Sequence, residues 1–207
     1  MNIELYKTTP LEESIYSRYQ ANGIHTVEDL HMGNVATILG GDIAYTQTRS
    51  HARWIDDETN YFVVFLNPSQ DIRKQRYDFF HEIAHPLNHV GDQRMVSPLF
   101  NHYQEIQAEQ FQLYAALPFY MVVDYKDVPE SVLSKILAQE FILPESLVIK
   151  RIEQIKRRIM QEYYHEELVK KMVSNRRKAD TSNWSSETKS LVKLALTRKQ
   201  QKELICK

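Results

Sequence analysis

The sequence predicts an α+β fold: a small antiparallel sheet packed by helices and followed by a helical C-terminal region. Three observations predict it. The run Tyr61–Leu66 (YFVVFL) is aromatic and β-branched, the composition of a buried strand. Two segments with apolar residues at helical spacing follow it, over residues 71–88 and 101–117. From Glu130 onward the strand pattern is gone and only helical patterns remain.

Taken in order, residues 11–20 read as a short helix stopped by Asn22-Gly23. Thr26 is a candidate N-cap with Asp29 three residues on, and residues 27–39 carry apolar positions at helical spacing until Gly40-Gly41 ends them. Residues 43–48 and 51–55 alternate weakly as strands. The polar stretch 56–60 turns the chain into Tyr61–Leu66, and the three strands together suggest antiparallel pairing. Asn67-Pro68-Ser69 breaks the strand. The helix expected over residues 71–88 contains Pro86, which predicts a kink or an end near that point, and Gly91 closes the segment. A loop with Pro98 precedes the helix at 101–117. Pro118 and Pro129 bracket a poorly patterned connection. Glu130–Glu140 and residues 145–160, the latter extendable to 172, are the next helices, joined by Phe141-Ile142-Leu143-Pro144. Residues 180–186 look like a linker, and 190–204 form a marginal helical pattern. No internal repeat is visible.

Composition excludes several classes. Of 207 residues, 43% are hydrophobic and 26% charged, an ordinary globular balance. The net charge of −1 hides an asymmetry. Residues 171–207 carry ten Lys/Arg against three Asp/Glu, and residues 1–170 carry sixteen against twenty-four. A basic tail of this kind is most simply a solvated segment, and it can also contact nucleic acid weakly or an acidic partner. The one cysteine, Cys206, rules out a disulfide framework within the chain and a cysteine-based zinc site. The opening residues lack a signal-peptide pattern, and the longest apolar runs are too short to span a bilayer. The expectation is a cytoplasmic protein with no membrane partner.

The chemistry is concentrated in His81-Glu82-Ile83-Ala84-His85, an H-E-x-x-H sequence. Two histidines four apart lie one helical turn apart on one face, so both imidazoles reach a single ion. Glu82 stands one residue round from the first histidine, placed to take a proton from a water that the metal activates. A chance match is expected in roughly one of forty chains of this composition, and the helical context after Phe79-Phe80 strengthens the signal. The bland reading is a pair of surface histidines.

A catalytic zinc site needs a third protein ligand and an open fourth position. The positions where a long metzincin motif would place a glycine and a third histidine hold Asn88 and Gly91, which excludes that class. A glutamate from the following helix is the other solution. Glu105 and Glu109 lie four apart there, and the spacing leaves both open, one as ligand and one as a residue that orients a histidine. His89 is a competing ligand. His102 and Tyr103 are candidates for stabilising an oxyanion, against the plainer reading of a surface histidine and a packed tyrosine.

These residues resemble the ImmA/IrrE metallopeptidases. The resemblance runs from about residue 43 through Pro118. It comprises strands ending at Asn67, Arg76 five residues before the first histidine, Phe80-His81-Glu82-Ile83-Ala84-His85 with His89 beyond, Glu105-Ile106-Gln107-Ala108-Glu109-Gln110-Phe111, and Ala116-Leu117-Pro118. It implies a zincin-like core, with zinc held one per chain by His81, His85 and Glu105 and with Glu82 as the catalytic residue. The choice of Glu105 over Glu109 comes from the resemblance. Glu109 stands where the family usually has asparagine, Gln112 replaces the next alanine, and Pro86 is unusual after the second histidine. Two histidines and a carboxylate also accept manganese or iron.

The resemblance further implies the substrate: a helix-turn-helix transcriptional repressor of a mobile element or prophage, cleaved or otherwise inactivated. Two other readings remain beside it. One is a metal-binding regulatory protein that binds a repressor or DNA without proteolysis. The other is a toxin–antitoxin component, which only the family suggests. The expected domains are a metallopeptidase domain over 1–120, a helical region over 121–172 and a basic tail over 173–207. The helical region has the outline of a helix-turn-helix with the basic run Lys150, Arg151, Lys156, Arg157, Arg158, and is more simply a helical hairpin.

Overall fold

The computed structural model describes residues 3–56, 61–88, 98–174 and 181–205. His89, Gly91, Cys206 and most of the polar turn before Tyr61 lie outside the described residues. The chain divides into two compact units, residues 1–164 and 165–207. Among the described residues no helix is long and apolar enough to cross a membrane.

The first helix, α1 (Pro10–Ala21), starts one residue earlier than its apolar pattern. Thr9 accepts from the Glu12 amide, and the Glu12 side chain accepts from the Thr9 amide, a reciprocal capping box with Pro10 in the first turn. The second helix, α2 (Met32–Ile38), is much shorter than the expected 27–39. The Asp29 carboxylate folds back to accept from the amides of His25 and Thr26 and from the Thr26 hydroxyl. That local closure competes with helix propagation, so residues 26–29 form an isolated turn and the helix begins after His31. The pair Gly40-Gly41 has two separate reasons. Gly40 takes φ +91, and a Cβ on Gly41 would lie 2.3 Å from the Phe62 ring.

Three strands follow: β1 (Gly41–Tyr45), β2 (His51–Asp56) and β3 (Tyr61–Leu66). Their spatial order is β1-β3-β2. The β2–β3 pair is antiparallel, as a short polar turn requires, but β1 pairs parallel to β3, with Gly41 opposite Phe62 and Tyr45 opposite Leu66. The expected antiparallel sheet is therefore a mixed one. The cause is topological: β2 takes one side of β3 through its hairpin, so β1, running the same way as β3, is left the other side. Phe62, Val64 and Leu66 of the central strand are fully buried. Both β1 and β2 are edge strands.

Asp71 caps α3 (Ile72–Glu82) by accepting from the amides of Arg73 and Lys74. The helix expected over 71–88 is interrupted at Ile83, and α4 (Ala84–Asn88) follows. Pro86 accounts for the position of the break: it has no N–H to offer the carbonyl of Glu82, four residues back, and its ring crowds that carbonyl. The next helix, α5 (Pro98–Ala116), starts three residues before the expected 101, with Pro98 at its first position rather than in a loop. A short α6 (Phe119–Val122), a 3-10 turn, and α7 (Glu130–Glu140) lead to α8 (Glu145–Ser174). Between α7 and α8 the amide of Leu143 bonds to the Ala138 carbonyl and that of Ile142 to the Gln139 carbonyl, a Schellman cap in which Ile142 takes φ 52. This is how a tight turn forms there without glycine.

One core joins these elements, from Ile15 and Tyr19 of α1 through Phe79, Phe80 and Phe111 to Leu147, Val148 and Ile155 of α8. Two buried arginines brace it. Arg76 on α3 donates to the carbonyls of Leu30 and Phe141. Arg151 on α8, fully buried, donates to Leu117 O, Tyr6 OH and Glu12 Oε1. Of the basic run on α8, Arg151 and Arg158 thus turn inward to Glu12, and Lys156 pairs with Glu130. The second unit holds the end of α8 and α9 (Ser186–Ile205), which exposes Leu191, Leu194 and Leu196.

Candidate metal centre

α3 and α4 supply the two histidines and α5 supplies the carboxylate. His81 is in the last turn of α3 and His85 in the short α4. Their rings meet edge to face with centroids 5.2 Å apart. The interruption at Ile83 keeps the two on one side of the chain, so the helical relationship assumed from sequence survives the break. Glu105 faces them from α5, with Oε2 3.2 Å from His81 Nε2 and Oε1 3.8 Å from His85 Nε2. One ligand atom from each of the three lies within 4.8 Å of the others.

This donor set fits a zinc ion. Tetrahedral coordination with bonds of about 2.0–2.1 Å puts neighbouring ligand atoms roughly 3.3 Å apart, which the 3.2 Å separation matches and the 3.8 Å one exceeds modestly. Two imidazoles and one carboxylate also leave a coordination position open. His81 Nδ1 is buried with no hydrogen-bond partner among the described residues, so nothing described there fixes the ring's tautomer.

Alignment of α5 against α3 has its own fastening. Gln112, buried on α5, donates from Nε2 to the Tyr77 carbonyl at 2.7 Å. Tyr77 is four residues before His81, so the amide that departs from the family's alanine pins the ligand helix to the histidine helix. Glu109 is exposed and lies outside the three-residue cluster.

Glu82 lines the same cleft, half-buried. Burial pushes its carboxyl up to about 7; Asp78 and Glu105 add to the rise, while Arg49 and Lys74 oppose it. A carboxyl poised near neutrality can both take and return a proton.

The cleft, ≈ 620 Å³, is lined on one side by His81, Glu82, His85, Asn101 and Glu105 and on the other by residues 48–51 and Arg53. The second wall was not foreseen from the sequence. Its only signal there is the alternation of Arg49, His51 and Arg53, basic residues at the strand period beside an otherwise apolar sheet. His102 and Tyr103 do not line this cleft. They are exposed and border a separate apolar depression with Leu99, Phe100 and Ile106.

Comparison with known proteins finds a peptidase family. The model of the peptidase M78 family, described as the IrrE N-terminal-like domain, matches residues 39–171. XkdA of the phage-like element PBSX of Bacillus subtilis (strain 168) is 27% identical over 150 residues, covering 72% of this chain and 74% of the relative. No solved structure matches.

Proposed function

The chain belongs to the peptidase M78 family of ImmA/IrrE-type metallopeptidases, and from that premise we propose a zinc-dependent endopeptidase that cleaves one regulatory protein, a helix-turn-helix repressor of a mobile element. The observation that carries the reading is the convergence of His81, His85 and Glu105, with the carboxyl of Glu82 in the same cleft. His81, His85 and Glu105 would hold the ion. When bound, the ion supplies Lewis acidity, polarising the scissile carbonyl and acidifying water. Glu82 accepts the proton of the attacking water and returns it to the leaving amine. The substrate backbone lies along the outer edge of β2, which among the described residues no other strand pairs and where an extended peptide can add. The setting in a mobile element is supported by the phage-like source of the relative, and the repressor by the family resemblance.

Two measurements test this. Elemental analysis of the purified chain is expected to give about one zinc per molecule, lost in His85→Ala and in Glu105→Ala; zinc that survives Glu105→Ala breaks the ligand assignment. Mapping of new protein N-termini in cells expressing the wild type or Glu82→Gln is expected to show a cut repressor only with the wild type. Identical maps would remove proteolysis and leave the binding-only alternative.

A further inference from the structure

The proposed chemistry uses one wall of the cleft and leaves the other without a task. On that other wall stand Arg49, in the segment just before β2, and His51 and Arg53, which share one side of β2. Both arginines are exposed, and among the described residues neither makes an ion pair, although the Arg49 charge acts on Glu82. Two carboxylates line the cleft, Glu82 and Glu105, against the two guanidiniums. Glu105 is turned to the histidines. A divalent ion added to this balance leaves the cleft with two positive charges in excess.

The wall is also held in place before anything binds. Thr46 donates its amide to the Leu66 carbonyl at 2.9 Å, and the buried Ser50 hydroxyl accepts from the Asn67 amide at 3.3 Å. Ser69 Oγ and Gln47 Oε1 join the same loop to the end of β3 at 3.2 Å. His51 Nδ1 lies 2.9 Å from the Arg49 carbonyl, which can only accept, so that nitrogen carries the proton; the ring stacks on Phe65. The backbone that carries both guanidiniums is therefore tied down at several points while their side chains stay free to reach a ligand.

We propose that Arg49 and Arg53 form a carboxylate-binding wall that selects peptides bearing acidic groups next to the bond held over His81 and His85. This rests on the peptidase reading for its occupant, an extended peptide along β2. Arg49 and Arg53 are four residues apart, no more than about 13 Å along the chain. A peptide in the same conformation presents alternate side chains to that wall, so carboxylates four residues apart can engage both arginines. The carboxylate can come from Asp or Glu side chains or from a chain terminus. A purely protective role, charge that keeps an exposed sheet edge from pairing with another copy, predicts no preference among peptides.

The test is binding of fluorescein-labelled decapeptides to the zinc-loaded, full-length Glu82→Gln protein, which leaves them uncut. One peptide carries two glutamates four apart, a second has glutamine at both places, a third lysine, and the first is made with free and with amidated C-termini. The glutamate peptide is expected to bind about tenfold more tightly than the glutamine peptide at low salt, with the gap shrinking as salt is raised. The exposed double substitution Arg49→Gln/Arg53→Gln is expected to bring the two to parity, and Arg49→Glu/Arg53→Glu to favour the lysine peptide. An affinity of the glutamate peptide unchanged by amidation assigns the recognised carboxylates to side chains; an affinity that falls on amidation adds the terminal carboxylate to them. Equal affinities, binding of no peptide, or a preference that persists in the double variant overturns the proposal. Cleavage by the wild type is scored separately. A charge preference without cleavage faults the peptidase reading and leaves the wall standing, whereas cleavage without a charge preference faults the wall alone.

Discussion

Glu12 and Glu105 both face two nitrogen-bearing side chains, and they are served in opposite ways. Glu12 accepts from Tyr6 OH and Arg151 Nη2 at 2.5 Å, from Arg158, and from the Thr9 amide at 3.1 Å. Its cationic partners are charged at every ordinary pH, and Arg151 spends its remaining donors on Tyr6, Gln154 and the Leu117 carbonyl. Glu105 instead faces two imidazoles whose nitrogens are ligands as readily as donors. One cluster is complete as it stands; the other is a set of electron-pair donors aimed at a common point. A roll call of charged residues would not separate them, but the chemistry of the partners does.

Glu12 and Glu82 carry a similar contrast into protonation. At Glu12 burial pushes the carboxyl up, but the Arg151 charge and the hydrogen bonds from Tyr6, Arg151 and Thr9 outweigh it and hold it below the ordinary range. At Glu82 burial prevails and the carboxyl stands at about 7.

The sharpest way to break the comparison is to remove each carboxylate's task. Glu82→Gln is expected to lower the cleavage rate by about 10²–10⁴-fold while zinc content is unchanged; a rate near that of the wild type would take Glu82 out of the proton transfer. On the other side, Arg151→Met leaves Glu12 buried with one of its two cations. Chemical unfolding is expected to report a loss of about 3–5 kcal/mol, and the folded fraction should still bind one zinc per chain. A loss of metal in parallel with stability would show that the two clusters are one unit in energy.

The smallest effect is one of pH, in the metal-free protein. The folded value of Glu82, about 7, lies above the ordinary 4.5. As pH rises between these values the unfolded chain gives up its proton first, so stability falls. Glu82→Gln should therefore be more stable than the wild type by ~2 kcal/mol at pH 8, with the two converging near pH 4. Glu12 has the opposite sign: its contribution is present above the ordinary carboxylate range and is lost as pH falls through its depressed folded value. Thermal unfolding across pH separates the two. A constant difference between wild type and Glu82→Gln would mean that this carboxyl is not held up by burial.

What the sequence made legible follows the range of the interactions involved. The H-E-x-x-H relationship is local, since it depends on one turn of helix, and it holds even across the break at Ile83. The break itself was expected at Pro86 but belongs to the carbonyl that the proline fails to serve. Helix α2 falls short because a single side chain, Asp29, offers its own carboxylate to nearby amides, a competition that apolar spacing does not register. The parallel partner of β3 was out of reach, because a strand's choice of neighbour is made by connections elsewhere. Glu105 and Glu109 are equivalent by spacing, and only the family resemblance separated them in advance. The arginine wall was missed because its residues read as ordinary strand polarity until β2 is placed at the rim of the cleft.

Arg76 carries a consequence for synthesis of the chain. It sits on the helix of His81 and is satisfied by two peptide carbonyls, one 46 residues upstream at Leu30 and one 65 residues downstream at Phe141. A nascent chain that has just delivered both histidines and Glu105 still lacks the second of them. Until Phe141 emerges and the α7–α8 turn closes, the guanidinium has half its partners, and the histidine helix is not yet braced. The order of the residues along the chain thus puts the bracing of the histidine helix after the delivery of all three candidate ligands.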